Sequence, residues 1–355
     1  MAGIDISGGI RWRYEKYVEP YLLRHGEPLF AIRRFVQNRR LLREKRPTAF
    51  VYANPWNVGD FASHCGLQQL VGLEGVELFC DEAALPSTFG VLSGPSGSRR
   101  EWRAIFVGGG GLLHDYFDPF WRGILKLDLP LVLFGVGINC LEPMRKNTDP
   151  ELLRQIARRA IGIHVRDEFT KEILCDHDAE DVTVGLCPSV DYISQQAASI
   201  PRSRTHLLHV IHPGDLTMAG TDVDEIRGVV RARARELGLV YDETNHMGRL
   251  THRLLRRYAR SSVVVSSRLH GCIFSFAMQI PFVGIECDRK LGSFLTTHVQ
   301  GSEPLNPRQL SSTLSAEFLR QRMSHAECGP TAAALQVNRD RMSGILDQIG
   351  RGEEA

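Results

Sequence analysis

The sequence predicts an α/β protein with parallel sheets in two domains, and three observations carry that expectation. Short runs such as residues 49–53, 131–136 and 262–265 are apolar and often β-branched throughout, as strands buried on both faces are. Each run is followed by a glycine-rich or polar turn and then by a segment of helical spacing, the alternation that builds parallel sheets. The chain's 355 residues, 43% hydrophobic and 24% charged, are enough for two cores of about 150 residues each.

The same figures exclude several function classes. A net charge of +2 forces no polyanionic partner, so no nucleic acid is expected. Charge is uneven, however: residues 11–46 hold eleven Lys or Arg against four Glu, a local +7. The eight cysteines form no CxxC pair, and Cys272 and Cys287 fall inside apolar elements, the usage of reduced thiols. No uncharged apolar run approaches the roughly 18 residues of a membrane span, and the opening MAGIDISGG lacks the apolar core of a signal peptide. The expected location is cytoplasmic, with the inner face of the membrane left open by the basic segment.

From the N-terminus, residues 11–46 mix basic and aromatic side chains and are broken at Pro20 and again between Gly26 and Pro28. Leu29, Ile32, Phe35, Val36, Leu41 and Leu42 then follow rough helical spacing, with arginines between them. Two readings fit: a helix packed on its own domain with a solvated basic face, which is preferred, or a basic amphipathic helix resting on an anionic membrane.

The first domain begins at Thr48. Residues 49–53 read as a strand and a helix starts near Phe61. The turn between them holds Asn54, Asn57, Gly59 and Asp60; glycine permits close backbone approach, and the Asn and Asp side chains cap helices or bond hydroxyls. Residues 104–107 form a strand running into Gly108-Gly109-Gly110-Gly111-Leu112-Leu113-His114-Asp115. Four glycines let backbone meet a ligand or another loop, but Leu113 breaks the G-x-G-x-x-G pattern, so no nicotinamide site is read. Asp115 also suits the N-cap of the next helix. Leu131–Val136 is a buried strand ending in a glycine turn, residues 150–160 a helix, and 162–165 a strand leading to Arg166-Asp167-Glu168-Phe169-Thr170. Residues 182–186 are the last strand, before Cys187-Pro188-Ser189-Val190-Asp191.

Residues 195–204, polar and containing Pro201, are the expected linker. The division is then a basic segment 1–47, domains 48–195 and 205–306, and helices in 307–355 that pack back across both. The second domain opens with strand 206–211. His206, His209 and His212 invite a metal reading, but along a strand the middle one faces away from the other two, so no metal site is expected. His212-Pro213-Gly214-Asp215 is a strand-end turn; residues 221–238 read as a helix, 239–242 as a strand and 250–260 as a basic helix.

The most informative stretch is 262–294. A strand meets the turn Ser266-Ser267-Arg268-Leu269-His270-Gly271, then an apolar helix over 272–278, a strand over 281–285 and a basic loop at Asp288-Arg289-Lys290. This is a βαβ unit of minimum length. Its turn lies where a parallel strand ends and a helix begins, so free N–H groups and the helix dipole favour an anion. Both serines suit capping, Arg268 offers a planar fork for phosphate or carboxylate, and His270 exchanges protons near neutrality. A plainer reading has Arg268 tied to a neighbouring strand end and His270 hydrogen-bonded in the core.

SSRLHG followed, after an apolar helix, by IPFVGIECDRKLGSFL resembles the polysaccharide pyruvyl transferase family. The resemblance spans residues 50–295 and implies two Rossmann-like domains facing a cleft, a GT-B-like fold. It implies transfer of the pyruvyl group of phosphoenolpyruvate onto sugar hydroxyls, usually as a cyclic ketal. Asn57-Val58-Gly59-Asp60 is similar to the family's Asn-x-Gly-Asp motif, which would face the cleft. Residues 109–115 are similar to its GGG-L-x-H/D segment, so His114 or Asp115 would contact acceptor hydroxyls or act as base. Arg166 falls in the counterpart of Arg-Asp/Glu-x-x-Ser, with Thr170 for Ser, and would reach the phosphoenolpyruvate; pairing with Asp167 or Glu168 is its other reading. Lys290 would serve a phosphate or carboxylate. Cys187 departs from the family's usual Asp-Pro pair, and if that aspartate matters to a sugar, the acceptor differs here.

Phosphoenolpyruvate carries a phosphate and a carboxylate, and Arg166, Arg268 and Lys290 supply three cations for them. C3 must gain a proton, leaving positive charge at C2 for a hydroxyl to attack, and His270 is the expected general acid. The helix N-terminus lowers its pKa while a phosphate raises it, and the sequence does not rank the two. The acceptor, a sugar or lipid-linked saccharide, belongs near Asn57, Asp60, His114 and Asp115, one of them the base. Gly59, Gly109, Gly110, Ser267 and Leu269 complete the expected binding residues; no metal or cofactor is needed. Two other functions fit: a GT-B glycosyltransferase using a nucleotide sugar, against which no acidic pair suited to a ribose appears near Arg268 or Lys290, and a non-catalytic glycan-binding member.

Overall fold

The computed structural model describes residues 28–94, 101–138, 146–299, 301–324 and 329–354. Helix α1 (Pro28–Leu41) leads into β1 (Thr48–Tyr52), α2 (Val58–Val71), β2 (Val76–Phe79), α3 (Leu85–Ser93), β3 (Ala104–Gly110) and α4 (Asp118–Leu125). Next come β4 (Leu131–Val136), α5 (Pro150–Arg159), β5 (Ala160–Val165), α6 (Glu168–Cys175), β6 (Val182–Val184) and α7 (Ser189–Ala197). The second half runs β7 (His206–Val210), α8 (Pro213–Met218), α9 (Val223–Glu236), β8 (Val240–Thr244), α10 (His252–Ala259), β9 (Ser261–Ser266), α11 (Leu269–Ala277), β10 (Phe282–Gly284) and α12 (Arg289–His298). The tail forms α13 (Leu310–Thr313), α14 (Ala316–Ser324) and α15 (Ala332–Glu354).

Two wholly parallel sheets result, the Rossmann-like pair that the alternation predicts. One has the order β2-β1-β3-β4-β5-β6 and the other β10-β9-β7-β8. Strands β1, β3 and β4 are buried along their whole length, which is why their sequences are continuous apolar runs rather than alternating ones. In the first sheet the chain leaves β1 toward β2 and returns on the other side at β3; in the second it leaves β7 toward β8 and returns at β9. Ligands of open parallel sheets collect at such reversals, outside the carboxyl ends of the strands. An apolar cluster containing Val58, Ala62, Cys187, Val190, Ile273 and Phe274 joins α2, α7 and α11 between the sheets.

Several helices start earlier than the apolar spacing suggests. Helix α2 begins at Val58, not near Phe61, because the Asn57 side chain accepts from Gly59 N at 3.1 Å and caps it. Helix α11 begins at Leu269, so His270 and Gly271 belong to its first turn. The basic loop at 288–290 is instead the start of α12, capped by Asp288. The stretch expected as a linker begins inside α7, which ends at Ala197, and its Ile200 is buried.

Residues 11–27 of the basic segment lie outside the described residues. Helix α1 packs on β2, but not through all of its apolar set: Phe35 and Val36 are each 61% exposed, and Leu41 is buried. Its grip is polar. Arg34 meets Glu77 at 2.6 Å, donates to the Tyr52 hydroxyl at 3.0 Å and lies over the Phe79 ring. Asn38 exchanges two 3.0 Å hydrogen bonds with the Glu77 backbone. Burial works against ionising Glu77, yet His64 and Arg34 outweigh it and hold the carboxyl at about 2. No helix among the described residues is long and apolar enough to cross a membrane.

In the tail, Leu310, Leu314 and Leu319 are buried on the second sheet, whereas Met342, Ile345 and Ile349 of α15 are buried against Phe50, Phe106 and Phe134 of the first. Asn338 pins α15 there. Its amide donates to Leu186 O at 2.8 Å and its Oδ1 lies 3.0 Å from His164 Nε2.

Candidate active site

The carboxyl ends of β1, β3, β5, β7, β9 and β10 converge on one cavity of about 670 Å³, within the range of small-ligand sites. Of the residues singled out in the sequence, Asn57, Asp60, His114, Asp115, Arg166, Arg268, Leu269, His270 and Lys290 line it. The first four come from the β1 and β3 ends and Arg166 from the β5 end, all on the first sheet; the last four come from the second. Both strand-order reversals therefore face the same space.

Four expected binding residues hold the walls rather than line the cavity. Ser267 accepts from His212 N at 2.8 Å and donates its own N–H to Val210 O at 3.0 Å, tying the β9 turn to the β7 turn. Ser266 Oγ bonds the backbone of Arg268, so neither serine caps α11, whose Ncap residue Arg268 offers no capping side chain. Gly109 and Gly110 have φ of +80° and +134°, and a Cβ on either would come within 3.0 Å of α2, on Asp60 or Ser63. They let β3 press against the first turn of that helix and confine Asp60. Gly59 performs the same service for His270.

The three cations differ in their company. Arg166, 2% exposed, has its Nε 3.6 Å from the buried Asp167 carboxylate. Asp167 also caps α6 and accepts from Thr170 N and Oγ1 at 2.8 and 2.7 Å, while Thr170 Oγ1 accepts from Ile138 N at 3.0 Å. Threonine thus supplies the hydroxyl that a serine would. Only a glycine at 137 leaves room for Arg166, since a Cβ there would lie 2.4 Å from its Nε. Lys290 sits 2.6 Å from Asp288 and 3.2 Å from Asp215. No acidic pair suited to a ribose was read near Lys290; two aspartates do flank it, both buried and both engaged by its ammonium. Arg268 makes no ion pair among the described residues, and its Nε is buried without a hydrogen-bond partner. A partly buried guanidinium whose Nε has no partner and which faces a cavity favours an anion.

The titrating groups are pushed in opposite directions. Burial lowers His270 well below the usual histidine value, and Arg166, His246, Arg268 and Lys290 add to it. Desolvation and positive neighbours thus favour the neutral imidazole in the protein without ligand. Burial raises Asp60 to about 7 although Arg166, Arg268 and Lys290 oppose it. Environments that separate two such groups assign an acid and a base.

His270 rests on a polar floor that the sequence motifs do not reveal. Its Nε2 is 3.3 Å from Ser63 Oγ and 4.0 Å from Cys187 Sγ. Cys187 is fully buried and touches Ser63 and Ser189 at 3.1 Å each. The departure at 187 consequently lies beneath the histidine and does not line the cavity.

On the β3 side, His114 accepts from Tyr116 N at 3.3 Å and so caps a short 3₁₀ turn, Asp115–Phe117, taking the cap role expected of Asp115. Asp115 is half exposed, 3.6 Å from His114 Nδ1. Tyr116 and Phe117, missed by motif reading, also line the cavity; Tyr116 is 52% exposed, and its ring centroid is 5.0 Å from that of Phe117. His212 and Asp215, read as a strand-end turn beside the cleft but given no role, both line the cavity. Their signal was positional, at the end of the strand beside β9.

Comparison with known proteins agrees with this picture. The family model described as polysaccharide pyruvyl transferase matches residues 57–289. Among solved structures, UDP-GlcNAc 2-epimerase from Methanocaldococcus jannaschii is similar at 8% identity with a TM-score of 0.54, covering 84% of this chain and 99% of that one. The same epimerase in complex with UDP-GlcNAc and UDP gives 9% identity and a TM-score of 0.52, with coverage of 84% and 99%. These likenesses show the fold, two Rossmann-like domains in the GT-B-like arrangement. A comparison with curated proteins finds no match.

Proposed function

The chain belongs to the polysaccharide pyruvyl transferase family, and from that premise we propose that it moves the pyruvyl group of phosphoenolpyruvate onto a pair of sugar hydroxyls in a surface glycan or its lipid-linked precursor. The observation that carries the reading is the unpaired Arg268 guanidinium in a cavity that also holds Arg166, Lys290, a neutral His270 and an Asp60 whose pKa is raised to about 7. A small dianion with a carboxylate fits that set of charges.

In this mechanism Arg268 and the open N-terminus of α11 take the phosphate, and Arg166 orients the carboxylate. Asp60, protonated near neutrality, gives its proton to C3, which becomes a methyl carbon as the C2–C3 π bond breaks. The first sugar hydroxyl bonds to C2 and loses its proton to His270. This exchanges the acid and base roles expected from sequence. The C2–O bond to phosphate then breaks, the second hydroxyl attacks C2, and its proton leaves with the phosphate; His270 then gives its proton to solvent and Asp60 takes one up, which restores both groups. One diol and one phosphoenolpyruvate become one ketal and one inorganic phosphate, and no redox partner or metal enters the balance. The acceptor ring would lie over Tyr116 and Phe117, whose faces suit the C–H surface of a sugar.

The test is phosphate release from phosphoenolpyruvate in the presence of candidate saccharides, run in deuterated water. Acceptor-dependent release with one solvent deuterium in the product methyl group supports the reading. Release without an acceptor, or a methyl group free of deuterium, sinks it.

A further inference from the structure

Ser63 belongs to no motif, yet it touches the group on which the proposed chemistry turns. It is fully buried one turn along α2 from Gly59. Its hydroxyl lies 2.9 Å from Gly59 O, 3.1 Å from Cys187 Sγ and 3.3 Å from His270 Nε2. A serine hydroxyl has one proton and two acceptor lone pairs, whereas a backbone carbonyl only accepts. The proton therefore goes to Gly59 O, and Oγ faces the imidazole as an acceptor. For that contact to be a hydrogen bond, Nε2 must carry the ring proton.

The other nitrogen is then bare. His270 Nδ1 makes no hydrogen bond among the described residues, and His270 lines the cavity. Cys187 does not reverse the assignment, because its thiol is a weak donor that also has Ser189 Oγ at 3.1 Å. Gly59 holds the other edge of the ring: a Cβ there would be 2.1 Å from Cγ and Nδ1. The ring is thus clamped between a glycine and an acceptor hydroxyl.

We propose that Ser63 is the positioning residue of this site: it fixes His270 as the Nε2–H tautomer, so that the Nδ1 lone pair faces the cavity. The proposal rests on reading His270 as a proton-transfer group, in which Nδ1 is the atom that takes the hydroxyl proton. A purely structural serine, bonding the carbonyl four residues back as helical serines commonly do, would leave the tautomer to other groups.

The experiment is a two-bond ¹H–¹⁵N correlation spectrum of ¹⁵N-histidine-labelled protein without ligands at pH 8, with the His270 signals assigned by their loss in His270→Gln. The wild type should show Nε2–H. In Ser63→Ala the single tautomer should give way to Nδ1–H or an average, and kcat of pyruvyl transfer should fall about 100-fold with KM for phosphoenolpyruvate unchanged. Ser63→Cys, nearly the same size, serves as a second removal of the hydroxyl. An Nδ1–H wild type, or an Nε2–H form that persists in either variant, overturns the proposal. The spectrum needs neither donor nor acceptor, so a failed donor assignment leaves this test standing and separate.

Discussion

Gly59 and His270 are in such close apposition that a Cβ on residue 59 would lie 2.1 Å from the Cγ and Nδ1 of the histidine ring. The ring is buried in the first turn of its helix and must move to admit a methyl group. Gly59→Ala should therefore reduce transfer at least 100-fold, since small misplacements cost that much. Overpacking should cost about 1–3 kcal/mol of stability. Steady-state kinetics beside thermal unfolding separates the two effects; unchanged turnover would show that the contact does not constrain the ring.

The raised Asp60 has a consequence for both rate and stability. As an acid it must be protonated, so kcat/KM for phosphoenolpyruvate should fall as pH rises through about 7, while the acid limb from His270 lies well below the usual histidine range. The folded carboxyl binds its proton more tightly than the unfolded one, whose value is 3.8. Stability linked to that proton is complete below 3.8 and is lost as pH rises through about 7. Asp60→Asn should accordingly abolish the alkaline limb along with most of the activity. It should also raise Tm at pH 8 more than at pH 5, a gain of a few kcal/mol at the expense of function. Equal shifts at both pH values would contradict the assignment.

The fold was largely legible and the site only in part, for different physical reasons. Strands β1, β3, β4 and β9 announce themselves because burial on both faces demands uninterrupted apolar runs, and Leu131–Val136 is observed with the predicted ends. Helix starts were read late at Val58 and Leu269 because their first turns carry the polar and glycine residues of the site rather than apolar ones. Arg268, His270 and Asp60 stood in recognisable turns. Ser63 and Tyr116 did not, since their roles depend on which helix faces which loop. The acidic partners of Lys290 were missed because Asp215 is remote in sequence and Asp288 read as part of a basic loop.

Asn338 tests how the terminal helix is fastened. Replacing it by Ala strips partners from two buried groups, Leu186 O and His164 Nε2. The expected loss is about 1–3 kcal/mol, with faster hydrogen exchange confined to α15 and β5. His164, which burial lowers to about 4, adds a pH signature. Its contribution is present above the unfolded value of 6.5 and is lost as pH falls through about 4. Uniform exchange across the chain would instead mean that α15 is integral to global unfolding.

Arg34 and Glu77 should decide whether α1 stays docked. Removing the guanidinium in Arg34→Ala leaves a mostly buried carboxylate and should destabilise the docked helix by roughly 3 kcal/mol. The effect should vanish as pH falls through about 2, where Glu77 protonates. Hydrogen exchange in α1 and β2 reads this directly, and α1 exchange that does not change would show that other contacts hold the helix.

The central claim is that Arg268 receives the phosphate of phosphoenolpyruvate, and it is tested most directly by thermal-shift titration of the wild type and Arg268→Ala. The ligands are phosphoenolpyruvate, inorganic phosphate and a panel of nucleotide sugars, since a ligand of the folded state raises Tm by mass action. The account predicts a rise with phosphoenolpyruvate that exceeds the phosphate effect, is absent with nucleotide sugars, and weakens in Arg268→Ala by about 1.5–3 kcal/mol of binding energy, the worth of a charged hydrogen-bonded contact. A rise with a nucleotide sugar alone, or a phosphoenolpyruvate shift unaffected by the loss of Arg268, would contradict it.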